Sequence, residues 1–356
     1  MRHLVVDLSS HGFGHAGIAC PVLNVLRSWD QTLKITIRTT IPARWLAQRL
    51  EFEFDYLEFI DFGMVMAGTW AVLAEESLTA YSKIHDDWDS HVIEAARRLQ
   101  ALAPSLLLSN VPYLSIAAAH MIGRPSVAFG AVNWADIFHC YCGHLPGAEP
   151  ILHQMIETYD RADIFLQPVP AMSMPSIRRH RLVGPIARLG RRRGAELRRR
   201  FNIRPDDRIV LLALGGIPTN FTFDSWPRFA DTTIILASQI QTNHPNVVVL
   251  DDPEFPFVDL IASSDAVITR PGYGTVAEAG CNGIPILLVP REGWPETPAF
   301  LDWLSRNGRV LILEECELRE GDFLSKLRAL QDMPAPPAPA PTGATEVADE
   351  IMKRLR

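Results

Sequence analysis

The sequence predicts an α/β protein built from two doubly wound, Rossmann-like domains. Apolar runs of strand length alternate with amphipathic segments of helical length, which is typical of parallel sheets with crossover helices. This pattern stops at an arginine-rich stretch near residues 185–195 and then starts again. The 356 residues also exceed one typical hydrophobic core. They favour two domains of roughly 150 to 180 residues.

The strands are predicted from short apolar runs bounded by turn residues. In the first domain, residues 1–185, they lie at 4–8, 34–38, 106–108, 126–129 and 164–166. In the second domain, residues 186–333, they lie at 209–214, 233–236, 247–250, 266–268, 286–289 and 310–313.

The last part of the sequence predicts a linker followed by a helix. Residues 334–343 are rich in Ala and Pro, so they are expected to run extended. In residues 344–356, Val347, Ile351 and Leu355 share one helical face at i, i+4 and i+8. This helix is therefore expected to dock on a domain.

Composition and charge narrow the class of protein. A net charge of -7 and a pI near 5.9 argue against a general nucleic-acid binder. Residues 99–123 carry no formal charge, but Pro104 and Pro112 interrupt the run, so a strand and a helix fit better than a membrane span. No signal peptide is recognised, and five cysteines without framework spacing suit a reducing compartment. A cytoplasmic location is expected.

A glycine-containing loop in the second domain is the strongest functional signal. Gly272 and Gly274 follow the strand at 266–268, and their backbone can approach a ligand closely. A helix is predicted to open there, with Thr275 as its cap and Glu278 one turn further on. Because the first amides of a helix are unpaired, the segment predicts a phosphate site.

Several motifs resemble the GT-B superfamily of nucleotide-sugar glycosyltransferases. HGFGH, within LVVDLSSHGFGHAGIACPVLNVL, is close to a loop in the glycosyltransferase-like half of plant-type arabinokinases. RPGYGTVAEA, NVPYLSIAAAHMIGRPSVAF, AVNWADIF and VLLALGG resemble the same relatives, with their spacing preserved. The resemblance implies two domains facing a cleft, with the C-terminal helix returning to the first. No Walker-type GxxxxGK[ST] motif occurs, so sugar-kinase activity is not expected.

The resemblance also implies where a nucleotide-sugar donor binds. Arg270 would contact a phosphate, Glu278 would bind ribose hydroxyls or lie on a helix surface, and Glu296 with Thr297 would hold sugar hydroxyls. The implied donor residues are Gly14, Gly215, Gly216, Arg270, Gly272, Tyr273, Gly274, Thr275, Glu278, Glu296 and Thr297.

Catalysis is expected from the first domain, where His15 falls at the position of the histidine in the glycosyltransferase pattern. His11 is its rival, since either imidazole could take a proton from an acceptor hydroxyl near neutral pH. Relatives orient this histidine with an aspartate, and here Ser109, followed by Asn110, occupies the matching place. Asp7 or Asp136 could substitute for it, or His15 only positions the substrate.

Other features leave the partners open. His139, Cys140, Cys142 and His144 lie close together, but CxC lacks the usual zinc-ligand spacing, so no metal or other cofactor is predicted. Trp134, Asp136 and His139 could contact the acceptor or only pack. The arginine-rich stretch could attract an anionic acceptor or lipid headgroups.

The sequence thus predicts an inverting, metal-independent glycosyltransferase that uses a UDP-linked hexose or N-acetylhexosamine. The acceptor could be a small molecule, a peptide or a lipid-linked compound. Two alternatives remain: a nucleotide-sugar 2-epimerase, and a non-catalytic regulator that binds nucleotide sugars.

Overall fold

The chain divides into two compact units, each with a parallel sheet. The computed structural model describes residues 2–67, 71–215, 222–237, 242–250, 254–291 and 293–355. One unit contains residues 1–186 and 342–356, and the other contains residues 187–341. Each is described separately below as the N-terminal unit and the C-terminal unit. Two parallel α/β sheets in one chain confirm the predicted fold class.

The N-terminal unit alternates strands and helices along most of its length. Its strands are β1 (His3–Leu8), β2 (Lys34–Arg38), β3 (Asp55–Leu57), β4 (Met66–Ala67), β5 (Ala71–Val72), β6 (Leu106–Asn110), β7 (Ser126–Phe129), β8 (Ile164–Pro168) and β9 (His180–Val183). Its helices before residue 187 are α1 (Gly14–Trp29), α2 (Ala43–Ala47), α3 (Ala74–Asp86), α4 (Trp88–Ala101), α5 (Tyr113–Met121), α6 (Trp134–Cys142) and α7 (Ala148–Tyr159).

The carboxyl ends of β1 and β6 meet at the centre of the N-terminal sheet. The strand order is β3-β2-β1-β6-β7-β8-β9, and all neighbours run parallel. Both β1 and β6 are buried along their whole length, as expected for strands covered on both faces. The strand order reverses between them, and such a switch point opens a crevice at the carboxyl edge of a sheet.

The C-terminal unit repeats this design with a second sheet. Its strands are β10 (Arg208–Ala213), β11 (Thr232–Leu236), β12 (Val247–Val249), β13 (Ala266–Thr269), β14 (Ile286–Leu288) and β15 (Val310–Ile312). Its helices are α8 (Gly194–Arg200), α9 (Phe257–Ser263), α10 (Tyr273–Cys281), α11 (Thr297–Asn307), α12 (Glu315–Glu320) and α13 (Leu324–Asp332). The parallel order β12-β11-β10-β13-β14-β15 reverses between β10 and β13, so the switch point lies there.

The last helix, α14 (Gly343–Arg354), packs on the N-terminal unit. It contacts α1 and β9, and Val347, Ile351 and Leu355 are buried, which confirms the predicted docking face. Gly343 approaches the backbone of Gly184 so closely that an added Cβ would lie 2.0 Å from its carbonyl oxygen. Within the described ranges, none of the helices has the length and apolar character needed to cross a membrane.

Truncating the docking face of α14 is expected to destabilise the N-terminal unit. Ile351 is fully buried, so Ile351→Ala should lower the free energy of unfolding by about 2–5 kcal/mol. Met352, its half-buried neighbour, serves as the matched control, and Met352→Ala should cost clearly less. Equal midpoints for both variants in urea unfolding would show that α14 adds little stability.

Candidate active site

A histidine and an asparagine meet at the switch point of the N-terminal sheet. His15 lies in the first turn of α1, and Asn110 is the last residue of β6. His15 Nδ1 donates a hydrogen bond to Asn110 Oδ1 over 2.7 Å. Because an amide oxygen can only accept, the proton of the neutral ring sits on Nδ1 and Nε2 is free to accept another.

The surroundings of His15 keep its imidazole neutral. Desolvation lowers the pKa of His15 to about 4, and the nearby His11 lowers it further, while the bond to Asn110 opposes the shift. The ring is therefore unprotonated at neutral pH. In that form it can remove a proton from a hydroxyl group.

None of the residues considered as the acidic partner of His15 contacts it in the structure. The Ser109 hydroxyl donates to the Pro112 carbonyl at 2.6 Å. Asp7 forms a buried, bidentate ion pair with Arg38, over 2.6 and 2.5 Å. The side chains of Ser109 and Asp7 are thus engaged elsewhere, and neither is the partner of His15 Nδ1. The partner of the His15 ring is instead Asn110, which follows Ser109 and is the last residue of β6.

Asp136 likewise has another role in the structure. It lies in the first turn of α6, where its backbone N–H donates to Asn133 Oδ1 at 2.8 Å. Asn133 Nδ2 donates in return to Asp136 Oδ2 at 2.7 Å. This reciprocal cap fixes the start of α6 and engages one oxygen of the carboxylate that was considered for catalysis.

His11 and His15 share the indole ring of Trp134. The His11 ring stands edge-on to Trp134 with centroids 5.1 Å apart, and the His15 ring is tilted at 6.2 Å. Gly63 closes the group, since an added Cβ would lie 2.7 Å from His11 Nε2 and 2.8 Å from the indole. The structure therefore brings both histidine candidates together, beside the tryptophan that begins α6.

A buried carboxyl group completes this cluster, and sequence reasoning missed it. Asp61 Oδ2 accepts the Trp134 Nε1–H at 3.0 Å. Burial raises the pKa of Asp61 to about 7, although hydrogen bonds from Ser9, Trp134 and the Phe62 backbone oppose the shift. Its position after the short strand β3 gives no motif that a single sequence would reveal. Strongly shifted carboxyl groups are common in functional sites.

The predicted donor residues of the C-terminal unit lie at the carboxyl edge of its sheet. The loops after β10, β13 and β14 leave neighbouring parallel strands on this edge. Thr269 Oγ1 donates to the Ala213 carbonyl at 2.8 Å, which ties the end of β13 to the end of β10. Gly215 follows with a φ of +94°, a conformation that favours glycine. Gly216 lies outside the described residues.

The glycine-containing loop begins α10 earlier than predicted. The helix starts at Tyr273 with Gly272 as N-cap, so Thr275 lies inside the first turn and does not cap it. The extended backbone of Gly272 lets the helix begin there. A Cβ added at Gly274 would meet open space, as it would at Gly14 in the N-terminal unit. Both positions leave room for a ligand to approach the backbone.

Charged side chains flank the start of α10. Arg270, directly after β13, has a pKa lowered to about 10 by burial, with Arg319 and Arg291 adding to the shift and Glu315 opposing it. It stays positively charged at neutral pH. Glu278 lies on α10 and is mostly buried, and its Oε1 accepts from Arg188 Nε at 2.8 Å. That ion pair fixes one carboxylate oxygen of the predicted ribose ligand.

Glu296 and Thr297 form a buried polar pair at the start of α11. Trp294 Nε1 donates to Glu296 Oε2 at 2.9 Å, and burial raises the pKa of Glu296 to about 7. Thr297 is 8% exposed, and its hydroxyl oxygen has no hydrogen-bond partner within the described part of the chain. Unpaired buried hydroxyls are costly, so a ligand that pairs with this one gains affinity.

The histidines and cysteines of residues 139–144 do not form a cluster. Cys142 is buried on α6, whereas Cys140 and His139 are exposed. Across the described ranges, no group of three or more His, Cys, Asp or Glu side chains is placed to hold a metal ion.

Comparison with known sequences shows a distant likeness to a plant kinase. No model of a known protein family matches the chain. It is 25% identical to the L-arabinokinase of Arabidopsis thaliana over 315 residues, which cover 85% of this chain and 30% of that protein. The chain therefore spans less than a third of the length of this curated relative.

Solved glycosyltransferase structures share the fold of this chain. CalG4, the calicheamicin glycosyltransferase, aligns with a TM-score of 0.65 at 15% identity, over 100% of this chain and 98% of that one. The chain has the GT-B fold. UGT71G1 of Medicago truncatula, solved with UDP-glucose, aligns with a TM-score of 0.58 at 12% identity, over 98% of both chains. The predicted GT-B fold is thus confirmed, and at such identities the likeness concerns the fold.

Proposed function

We propose that this GT-B chain is a glycosyltransferase that moves a sugar from a UDP-linked donor to an acceptor hydroxyl, with inversion and without a metal ion. The observation that carries the proposal is the group at the carboxyl edge of β13 and β14. A half-buried guanidinium (Arg270) and an open helix N-terminus follow β13, and an unpaired buried hydroxyl (Thr297) follows β14. These groups suit a phosphate next to a hydroxylated ring.

Each part of the donor has a matching group in the C-terminal unit. The first amides of α10 and the Arg270 guanidinium would neutralise the diphosphate, which then needs no cation to leave. Glu278 would bind the ribose hydroxyls. Glu296 and Thr297 would bind sugar hydroxyls, and Thr297 would gain its missing partner there. UGT71G1, which was solved with UDP-glucose, supports the choice of a uridine donor.

The N-terminal unit would supply the base. His15 Nε2 takes the proton of the acceptor hydroxyl while the new bond forms at the anomeric carbon. The bond from that carbon to the diphosphate breaks, and the diphosphate leaves with the electron pair. Attack opposite the leaving group inverts the anomeric configuration. The acceptor class and a cytoplasmic location stay predictions.

Incubation with a panel of UDP-sugars, with and without acceptors and in the presence of EDTA, tests the proposed function. UDP release that requires an acceptor and survives EDTA would support metal-independent transfer. Release of an isomerised UDP-sugar would instead support the 2-epimerase. Binding without turnover on any acceptor would support the regulator.

Removing the Arg270 side chain is expected to weaken donor binding. Charge-assisted hydrogen bonds contribute about 1.5–3 kcal/mol, so Arg270→Ala should raise the Kd for UDP about 10- to 150-fold. Arg306, an exposed arginine on α11 of the same unit, offers the control, and Arg306→Ala should leave this Kd unchanged. Calorimetric titration with UDP measures both. Equal affinities would remove Arg270 from the donor site.

A further inference from the structure

A buried acid is connected to His11 through one hydroxyl group. Ser9 Oγ lies 3.2 Å from His11 Nδ1. Asp61 receives hydrogen bonds from the Ser9 hydroxyl, the Trp134 indole and the Phe62 backbone. Ser9 is fully buried and Asp61 is 7% exposed, whereas His11 is exposed. Asp61, Ser9 and His11 thus form a hydrogen-bonded series that runs from the core to the surface. It is separate from the His15–Asn110 pair.

The direction of the hydrogen bonds in this series depends on the charge of Asp61. An ionised carboxylate only accepts, so Ser9 must donate its hydroxyl proton to Asp61. Ser9 Oγ then accepts from His11, which places the imidazole proton on Nδ1. A protonated Asp61 can instead donate to Ser9, whose hydroxyl is then free to donate to His11 Nδ1. The imidazole proton would move to Nε2.

We propose that Asp61 is a positioning residue that acts through Ser9 to fix the tautomer in which His11 Nε2 is unprotonated. In that form His11 accepts a hydrogen bond from the acceptor substrate and holds it beside His15. The catalytic part rests on the proposed sugar transfer, whereas the tautomer is a property of the protein alone.

The hydrogen bonds that link Asp61, Ser9 and His11 would make turnover depend on pH near neutrality. The pKa of Asp61 is about 7 because burial outweighs its three hydrogen-bond donors, and Asp7 adds to the shift. Asp7 is itself paired with Arg38. The phenols of Tyr81, Tyr113 and Tyr159 also face Asp61, but burial raises their pKa values well above 10, so they stay neutral. Turnover should fall as the pH drops through about 7.

Nitrogen NMR of histidine side chains in Asp61→Asn tests the tautomer directly. Asparagine keeps the volume and an oxygen for Trp134, but its amide can donate to Ser9, so the His11 proton should move from Nδ1 to Nε2 at pH 8. Ser9→Ala should leave His11 as a mixture of both tautomers. His3, whose Nδ1 lies 2.8 Å from the Leu102 carbonyl, is the internal reference and should not change.

The outcomes separate this inference from the proposed function. An unchanged Nδ1–H tautomer of His11 in Asp61→Asn at pH 8 would overturn it, whatever the transferase assays show. If the tautomer moves, kcat should fall at least tenfold with an unchanged Kd for UDP, and the decline of turnover below pH 7 should disappear. A folded Asp61→Asn with wild-type kcat and pH profile would leave Asp61 a structural residue and overturn the positioning role.

Discussion

Replacing His15 by alanine should lower kcat for sugar transfer about 100- to 10,000-fold, the contribution typical of a general base. His15 Nε2 is free to accept the acceptor's proton because Nδ1 donates to Asn110. The rival His11 has no such amide partner, since its Nδ1 lies against the Ser9 hydroxyl. The Kd for UDP should change little, because the side chains proposed to bind the diphosphate and the ribose, Arg270 and Glu278, lie in the C-terminal unit. Steady-state kinetics with calorimetry measures both.

Two variants show whether the effect belongs to the base. His153, an exposed histidine on α7, should tolerate alanine without loss of kcat. Asn110→Asp places a carboxylate on Nδ1 and should raise the pKa of His15 from about 4 toward its ordinary value of 6.5. Turnover of that variant should then fall more steeply than wild-type turnover between pH 7 and 6, because wild-type His15 is still neutral there. Near-normal kcat in His15→Ala would remove the base assignment.

The fold could be predicted from the sequence because both main sheets are parallel and their central strands are buried. β7 is a short apolar run, and the limits of both β2 and β7 match the predicted ones. The short strand β3 was missed, since its residues Asp55–Leu57 are all exposed and lie at a sheet edge. Edge strands lack the burial that produces a pattern, so periodicity cannot reveal them.

The candidate site could be predicted only in part, because some of its residues lie outside any local sequence pattern. The loops around His15 and Gly272 carry local motifs, so a sequence reveals them. The place of the residue that orients His15 was assigned to Ser109, one residue before Asn110. An alignment of motifs does not show which side chain at a strand end faces the imidazole ring. Asp61 joins the site only by folding, and the charge state of a buried acid depends on neighbours that are distant in sequence.

The buried pair of Asp7 and Arg38 is expected to be the most sensitive point of the N-terminal unit. Asp7 is fully buried on β1, and Arg38 on the neighbouring β2 donates both Nε and an Nη to its carboxylate. Arg38→Leu leaves a buried charge without a partner, which costs about 3–5 kcal/mol. Urea unfolding should therefore show a large shift of the midpoint for this variant.

The double variant Asp7→Leu/Arg38→Leu separates structure from catalysis. Removing both charges leaves no unpaired carboxylate, so the double variant should be more stable than Arg38→Leu alone. Its free energy of unfolding should lie close to that of the wild type. Because the Asp7 carboxylate is bonded to Arg38 and the His15 ring to Asn110, the kcat of the folded double variant should stay near normal. A stable double variant without turnover would instead give Asp7 the orienting role that the structure assigns to Asn110. A loss below about 1 kcal/mol in Arg38→Leu would show that water reaches Asp7.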